Sequence, residues 1–376
     1  MKRKLLFAVM SLALLLGTLT GLAGPAPVRA ADIRVTSSTA RVDFPMHIYF
    51  SIAAESGAAI NDIRLHYTVE RMSVAQVTSE SYLNFQPGTR VSTEWDWDMR
   101  KTGGLPPGSR VKFWWTVKDA SGTSIITAPQ VLEIADNRYS WKQRTDGLVA
   151  LHWYRGDDAF VGELVAAIRD ALSRVEMNTG ARPDKPINIY IYGSADDLRG
   201  SMIFPQEWTG GVAFTSYSTV AIGIAPADLG WGKRAIAHEL THLVIHQIVF
   251  SAYGEMPTWL DEGLAMNGEG SLEDVFLALL YQAITTQTLD TVRSIASPFP
   301  ADPRASALAY AESYSIVNYL VGTYGQEKMF DLLKTFKEGA TYDDALQKVY
   351  GFDMDSLNEK WSGALYAAVK PPPSSS

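Results

Sequence analysis

A change of hydrophobic period near residue 140 constrains the fold of this chain more than any other feature. From about Asp32 to Ile134 apolar residues recur at every second position. Val91, Thr93, Trp95 and Trp97 share one face, and Ser92, Glu94, Asp96 and Asp98 share the other. Val111, Phe113, Trp115 and Val117 alternate with Lys112, Trp114, Thr116 and Lys118, and Ile63, Leu65, Tyr67 and Val69 repeat the pattern. Half-buried strands produce this alternation because successive side chains leave a strand on opposite faces. Gly57, Gly88, Gly103-Gly104, Pro106-Pro107-Gly108 and Ser121-Gly122 supply turn signals between the runs. An antiparallel β-sandwich is predicted. The alternation turns most of the aromatics inward as core, with Trp114, on the polar face, as the exception.

After a connector around Asn137–Asp146 the period lengthens. Leu148–Tyr154 predicts a strand, Asp157–Met177 an amphipathic helix and Ile187–Tyr192 another strand. Short strands near Val212–Phe214 and Thr219–Ile224 precede a run of helices. These are expected near Gly232–Phe250, Pro257–Asn267, Leu272–Thr286, Arg304–Tyr324, Gln326–Lys337, Tyr342–Tyr350 and Met354–Val369. The chain therefore reads as multidomain. A β-sandwich of immunoglobulin or fibronectin-III type spans 31–137, an α+β and mostly helical domain spans 138–369, and residues 370–376 form a Pro/Ser tail.

The first thirty residues carry a different signal. Lys2, Arg3 and Lys4 precede an apolar run to about Leu22, Pro25 and Pro27 break it, and Val28-Arg29-Ala30 offers small residues for cleavage. This is the layout of a secretory signal peptide cut after Ala30. Its four basic groups leave 29 basic against 41 acidic residues in the mature chain, which argues against nucleic acid as a partner. No later run is long enough to span a bilayer, so a secreted, extracytoplasmic protein is expected. The absence of cysteine excludes disulfides, thiolate metal sites and thiol nucleophiles. Any metal must be held by carboxylates and the six histidines.

Three of those histidines fall at 238, 242 and 246. Positions i and i+4 of a helix lie about 40° apart on one face, so His238 and His242 can offer ring nitrogens to one ion. Glu239 sits one step round, placed to reach a water rather than to ligate. This is the H-E-x-x-H zinc pattern, with the glutamate as general base. Ala235, Ile236, Ala237, Leu240, Leu243, Val244, Ile245, Ile248 and Val249 make the helix apolar on most sides. Such a helix is buried, and polar groups inside it need partners. His246 is two turns from His238, about 12 Å along the axis, too far for the same ion. Ile248 occupies the place where a metzincin carries its third histidine. A third ligand must come from elsewhere. Nineteen residues intervene between His242 and Glu262, which stands in Pro257-Thr-Trp-Leu-Asp-Glu-Gly-Leu-Ala265. Pro257 suits the first turn of a helix that could project it back.

His238-Glu239-Leu240-Thr241-His242 followed by Trp259-Leu260-Asp261-Glu262-Gly263 resembles the gluzincin metallopeptidases. The likeness is to the peptidase-MA-like bacterial family related to the aminopeptidase N branch, over roughly 140–368. The resemblance implies one Zn2+ per chain on His238, His242 and Glu262, a water in the fourth position, and Glu239 as general base. It implies that Tyr310, in Tyr310-Ala-Glu-Ser-Tyr314, stabilises the oxyanion. Tyr314 is the alternate, because Glu312 and Ser313 stand where the family has Lys-Gly. Aminopeptidases of that branch carry Gly-x-Met-Glu-Asn on an edge strand, and its Glu grips the free α-amine. The comparable stretch here is Gly210-Gly211-Val212-Ala213-Phe214, so Gly211, Val212 and Ala213 are the candidate substrate-binding strand, with Ala213 in the acid's place. Glu207 is the one nearby substitute for that acid.

The expectation is a secreted zinc metallopeptidase with a peptide or protein substrate, an endopeptidase rather than an aminopeptidase. The competing reading is a catalytically inert binding protein whose β-sandwich takes a cell-surface ligand. A zinc hydrolase of a non-peptide bond is a third. Asp261 and Glu269 are candidate partners for the ligating imidazoles.

Overall fold

The computed structural model describes residues 32–206 and 209–369. The expected signal peptide, the expected Pro/Ser tail and Glu207 lie outside the described residues. The first part of the chain is antiparallel throughout. It comprises β1 (Arg34–Asp43), β2 (His47–Glu70), β3 (Ser79–Tyr82), β4 (Gly88–Asp98), β5 (Arg110–Asp119), β6 (Ser124–Ile126) and β7 (Gln130–Glu133). The 24-residue β2 organises it. Its first half pairs with β1 and β4, and its second half pairs with β3 and β5. Register shifts fall between Glu55 and Ile60 on the β4 side and between Ile60 and Asp62 on the β5 side. The sheet therefore curls over on itself and forms a sandwich-like core from Ile48, Phe50, Ile52, Leu65, Val111, Phe113 and Trp115. Gly57 does not end a strand: the chain bends through a bulge and continues. Trp114 lies on the outer face, stacked on His66 with ring centroids 5.5 Å apart.

The second part opens with β8 (Lys142–Asp146), β9 (Val149–Trp153), α1 (Asp158–Thr179), β10 (Ile187–Tyr192), α2 (Ala195–Arg199), β11 (Gly211–Phe214) and β12 (Thr219–Gly223). These strands form one mixed sheet in the order β11-β12-β10-β9-β8. β9, β10 and β12 run parallel, and β11 and β8 are antiparallel additions at the two ends. The segment expected as connector thus contains an edge strand. Lys-Gln-Arg-Thr-Asp is almost wholly exposed, so it carries no apolar alternation to announce it. Seven helices follow: α3 (Leu229–Val249), α4 (Thr258–Glu269), α5 (Asp274–Thr286), α6 (Pro303–Tyr324), α7 (Gln326–Lys337), α8 (Tyr342–Tyr350) and α9 (Met354–Val369). Apolar faces of the sheet, α1, α3, α4, α6 and α7 merge into one core around Leu164, Ile189, Leu240, Leu243, Trp259 and Val317. Among the described residues no helix is long and apolar enough to cross a membrane.

Two glycines set the position of α4. It packs between α3 and α6. A Cβ at Gly263 would collide with the Ser313 carbonyl oxygen and would lie 2.7 Å from Val317 Cγ2. A Cβ at Gly268 would overlap Thr241 Oγ1. Hydrogen in both places lets α4 approach its two neighbours closely, which brings residues of three helices to one point.

Candidate active site

His238 and His242 project from the middle of α3, the helix beneath β11, and are 18% and 12% exposed. Glu262 enters from the second turn of α4. The ligating atoms form a small triangle. His238 Nε2 lies 3.2 Å from His242 Nε2 and 3.3 Å from Glu262 Oε2, and His242 Nε2 lies 3.6 Å from the same oxygen. Tetrahedral coordination with bonds of about 2.0–2.1 Å has edges of about 3.3–3.4 Å, so the three atoms already stand at zinc-ligand spacing.

The other ring nitrogens explain the orientation. His238 Nδ1 is 2.8 Å from Glu269 Oε1, and His242 Nδ1 is 2.8 Å from Asp261 Oδ1. A carboxylate only accepts, so each Nδ1 carries a proton, and in the neutral form of each ring Nε2 turns a lone pair inward. Two lone pairs and the unpartnered Glu262 Oε2 then face one another. That arrangement calls for a cation, and the donor set of two imidazoles and one carboxylate suits Zn2+.

The surrounding carboxylates favour positive charge at this point, which either a proton on Nε2 or a cation in its place can supply. Burial lowers the His238 and His242 imidazoles, but Glu262 and Glu269 overcome this at His238 and push it up to about 9. Asp261 and Glu262 likewise raise His242 well above its ordinary value. Burial raises Glu262, and the two imidazoles outweigh it and hold the carboxyl down at about 2. The cluster has a surplus of buried negative charge. Arg234, 2.8 Å from Glu269 Oε2, offsets part of it at the outer end.

Glu239 occupies the space between helix and edge strand. Its Oε1 lies 3.1 Å from where a Gly211 Cβ would be, so glycine leaves room for the carboxylate. Burial raises Glu239, opposed by the two imidazoles and by the Ala213 backbone. β11 hydrogen-bonds β12 along one edge only and ends the sheet order, so its outer edge is available to an extended chain. Tyr310, on α6, stacks edge-on against His238 with centroids 6.4 Å apart and against Phe299 at 5.0 Å. Burial, then Glu262 and Glu239, push its phenol upward, so it keeps its proton and is a donor at neutral pH. Tyr314, one turn on, packs in the α5–α9 cluster, and its carbonyl accepts from Asn267 Nδ2.

Glu312 and Ser313, two and three residues beyond Tyr310 on α6, are both fully buried. Glu312 Oε1 accepts from the Asp290 N–H at 2.9 Å, while Oε2 has no partner. Burial pushes this carboxyl up to about 8, with the Asp290 N–H only partly opposing it. The folded-state value lies above the ordinary 4.5, so the native state binds the extra proton. The resulting stability is complete below about pH 4.5 and is lost as pH rises through 8. In urea melts Glu312→Gln should match the parent near pH 4.5 and exceed it at pH 8.5, by on the order of 2–4 kcal/mol. Equal stability at both values would place the carboxyl in water.

Sequence reasoning set His246 aside as too distant to ligate. The structure puts its Nε2 3.0 Å from Asp261 Oδ2, a contact made across helices that no spacing along α3 could announce.

A sequence profile of the Peptidase MA superfamily matches residues 167–367, which include all of these residues. No curated protein matches the chain. Among solved structures, the M1 zinc metallopeptidase of Deinococcus radiodurans is similar over 91% of this chain and 95% of its own, at 13% identity and TM-score 0.38. Legionella pneumophila aminopeptidase A, in complex with aspartic acid, is similar over 88% of this chain and 50% of its own, at 10% identity and TM-score 0.37. OgpA of Akkermansia muciniphila, in complex with an O-glycopeptide, is similar over 28% of this chain at 11% identity and TM-score 0.21; the chain spans 29% of that protein's length. The profile match extends over more than half of the sequence, and the chain belongs to the Peptidase MA superfamily of metallopeptidases.

Proposed function

We propose that this protein is a secreted, zinc-dependent endopeptidase. The observation that carries the reading is the convergence of His238 Nε2, His242 Nε2 and Glu262 Oε2 beneath a free strand edge, with Glu239 between them. His238, His242 and Glu262 would hold the zinc, which would supply Lewis acidity for activating water and polarising a carbonyl. Glu239 accepts the proton of the attacking water and passes it to the departing amine. Tyr310 donates its hydroxyl to the oxyanion, a contact worth roughly 3 kcal/mol when preorganised. Gly211, Val212 and Ala213 pair with the substrate backbone.

Ala213 offers no carboxylate to a free α-amine, and this supports cleavage within chains. Residues 1–30 act as the secretory leader, removed after Ala30. The β-sandwich of 31–137 is then a separate module on the peptidase domain of 138–369.

Purified residues 31–376, incubated with a defined peptide mixture and read by mass spectrometry, should make internal cuts that a zinc chelator stops. One-residue shortening from amino termini would replace the endopeptidase reading with an aminopeptidase. No cleavage by a chain carrying one zinc would favour the inert binding protein.

A further inference from the structure

Asp261 holds two imidazoles at once. Its Oδ1 takes His242 Nδ1 at 2.8 Å, and its Oδ2 takes His246 Nε2 at 3.0 Å. The carboxylate thus lies between a ring whose Nε2 faces the triangle of ligand atoms and a ring one turn further along α3. It also precedes Glu262 directly, so one short segment of α4 serves both the site and its support.

The two contacts have different consequences. A carboxylate bonded on one side can rotate about its Cβ–Cγ bond and take the imidazole with it. A carboxylate bonded at both oxygens has one orientation, and the His242 ring inherits it. Side chains that orient a ligating histidine typically matter 10–100-fold in metal affinity. The histidine cluster also contains a second grouping, His242, His246 and Asp261, whose ligand atoms lie within 4.8 Å of one another. A cation there would need His242 Nδ1 free of its proton. That nitrogen donates to Asp261 whenever Nε2 presents its lone pair to the first site, so the second grouping serves as support and not as a second metal centre.

We infer that His246 is a positioning residue, which donates from Nε2 to Asp261 Oδ2 and so locks the carboxylate that orients His242. The inference rests on the metallopeptidase reading above. It gives a role to a half-exposed histidine that the distance along α3 had removed from the ligand set.

The test is zinc affinity by competition with a chromophoric chelator, using residues 31–376, together with the visible absorption spectrum of the Co2+-substituted protein. His246→Phe keeps a ring and removes the donor, whereas His246→Gln returns an amide nitrogen close to where Nε2 stood. His246→Phe should weaken zinc about 10–100-fold and shift the Co2+ bands, with His246→Gln within about threefold of the parent. In an Asp261→Ala background His246→Phe should add nothing, because the effect passes through that one carboxylate. Parental affinity and an unchanged Co2+ spectrum in His246→Phe would overturn the inference. So would equal losses in both variants, or an additive loss in the double variant. Should His246→Phe not fold, imidazole 1H–15N spectra of the zinc-loaded parent decide. A protonated, hydrogen-bonded His246 Nε2 supports the role, and an unprotonated one overturns it. A parent chain that binds no zinc sinks the metallopeptidase reading itself, which is a distinguishable result.

Discussion

Glu239→Gln should bind one zinc per chain as tightly as the parent and lose peptide cleavage by at least about 10²–10⁴-fold, the usual range for a general acid–base group. The substitution preserves shape. Glu239 Oε1 lies 3.1 Å from where a Gly211 Cβ would stand, a space glycine leaves open, and an amide fills the same volume as the carboxylate. It also leaves the ligand triangle alone, because neither the His238–His242 nor the His–Glu262 distances involve residue 239. What disappears is the capacity to take a proton and return it. Activity and bound zinc should be measured on the same preparation. A Glu239→Gln chain with zinc and more than a tenth of parental turnover would place the base elsewhere.

Removing the third ligand should have the larger effect on the metal. Glu262→Ala leaves two imidazoles whose lone pairs face each other at 3.2 Å with no carboxylate opposite. Zinc affinity should drop by well over 10²-fold, beyond what loss of a supporting contact costs. The loss has a readout independent of catalysis. A metal that binds only the folded state raises the melting temperature by mass action, so zinc should stabilise the parent and leave Glu262→Ala unmoved at the same concentration. Chelation should reproduce that lower melting temperature in the parent. A zinc-dependent rise of equal size in both proteins would remove Glu262 from the ligand set.

Both expectations begin from residues that local pattern made visible. The i, i+4 histidines, the intervening glutamate and the apolar helix around them depend only on neighbours along α3. The strand of 187–192 and the helices of 326–337, 342–350 and 354–369 were legible for the same reason, since the strand is an apolar run buried on both faces and each helix buries one stripe of its own sequence. β8 was not, because an exposed edge strand buries almost nothing. β2 was read as broken at Gly57, because a bulge and a turn use the same residue.

The sequence by itself determined which side chains could do chemistry here: two imidazoles at ligand spacing, a glutamate beside them, and the Glu262–Gly263 pair on a later helix. Only the tertiary structure decided how they act together. Gly263 and Gly268 work by leaving out a Cβ, and the value of that omission depends on Ser313 and Thr241 arriving from other helices. Asp261 joins His242 to His246, and Glu269 joins His238 to Arg234, across the α3–α4 contact. Contacts of this kind come from packing between elements distant in the chain, and no period or spacing within one element encodes them.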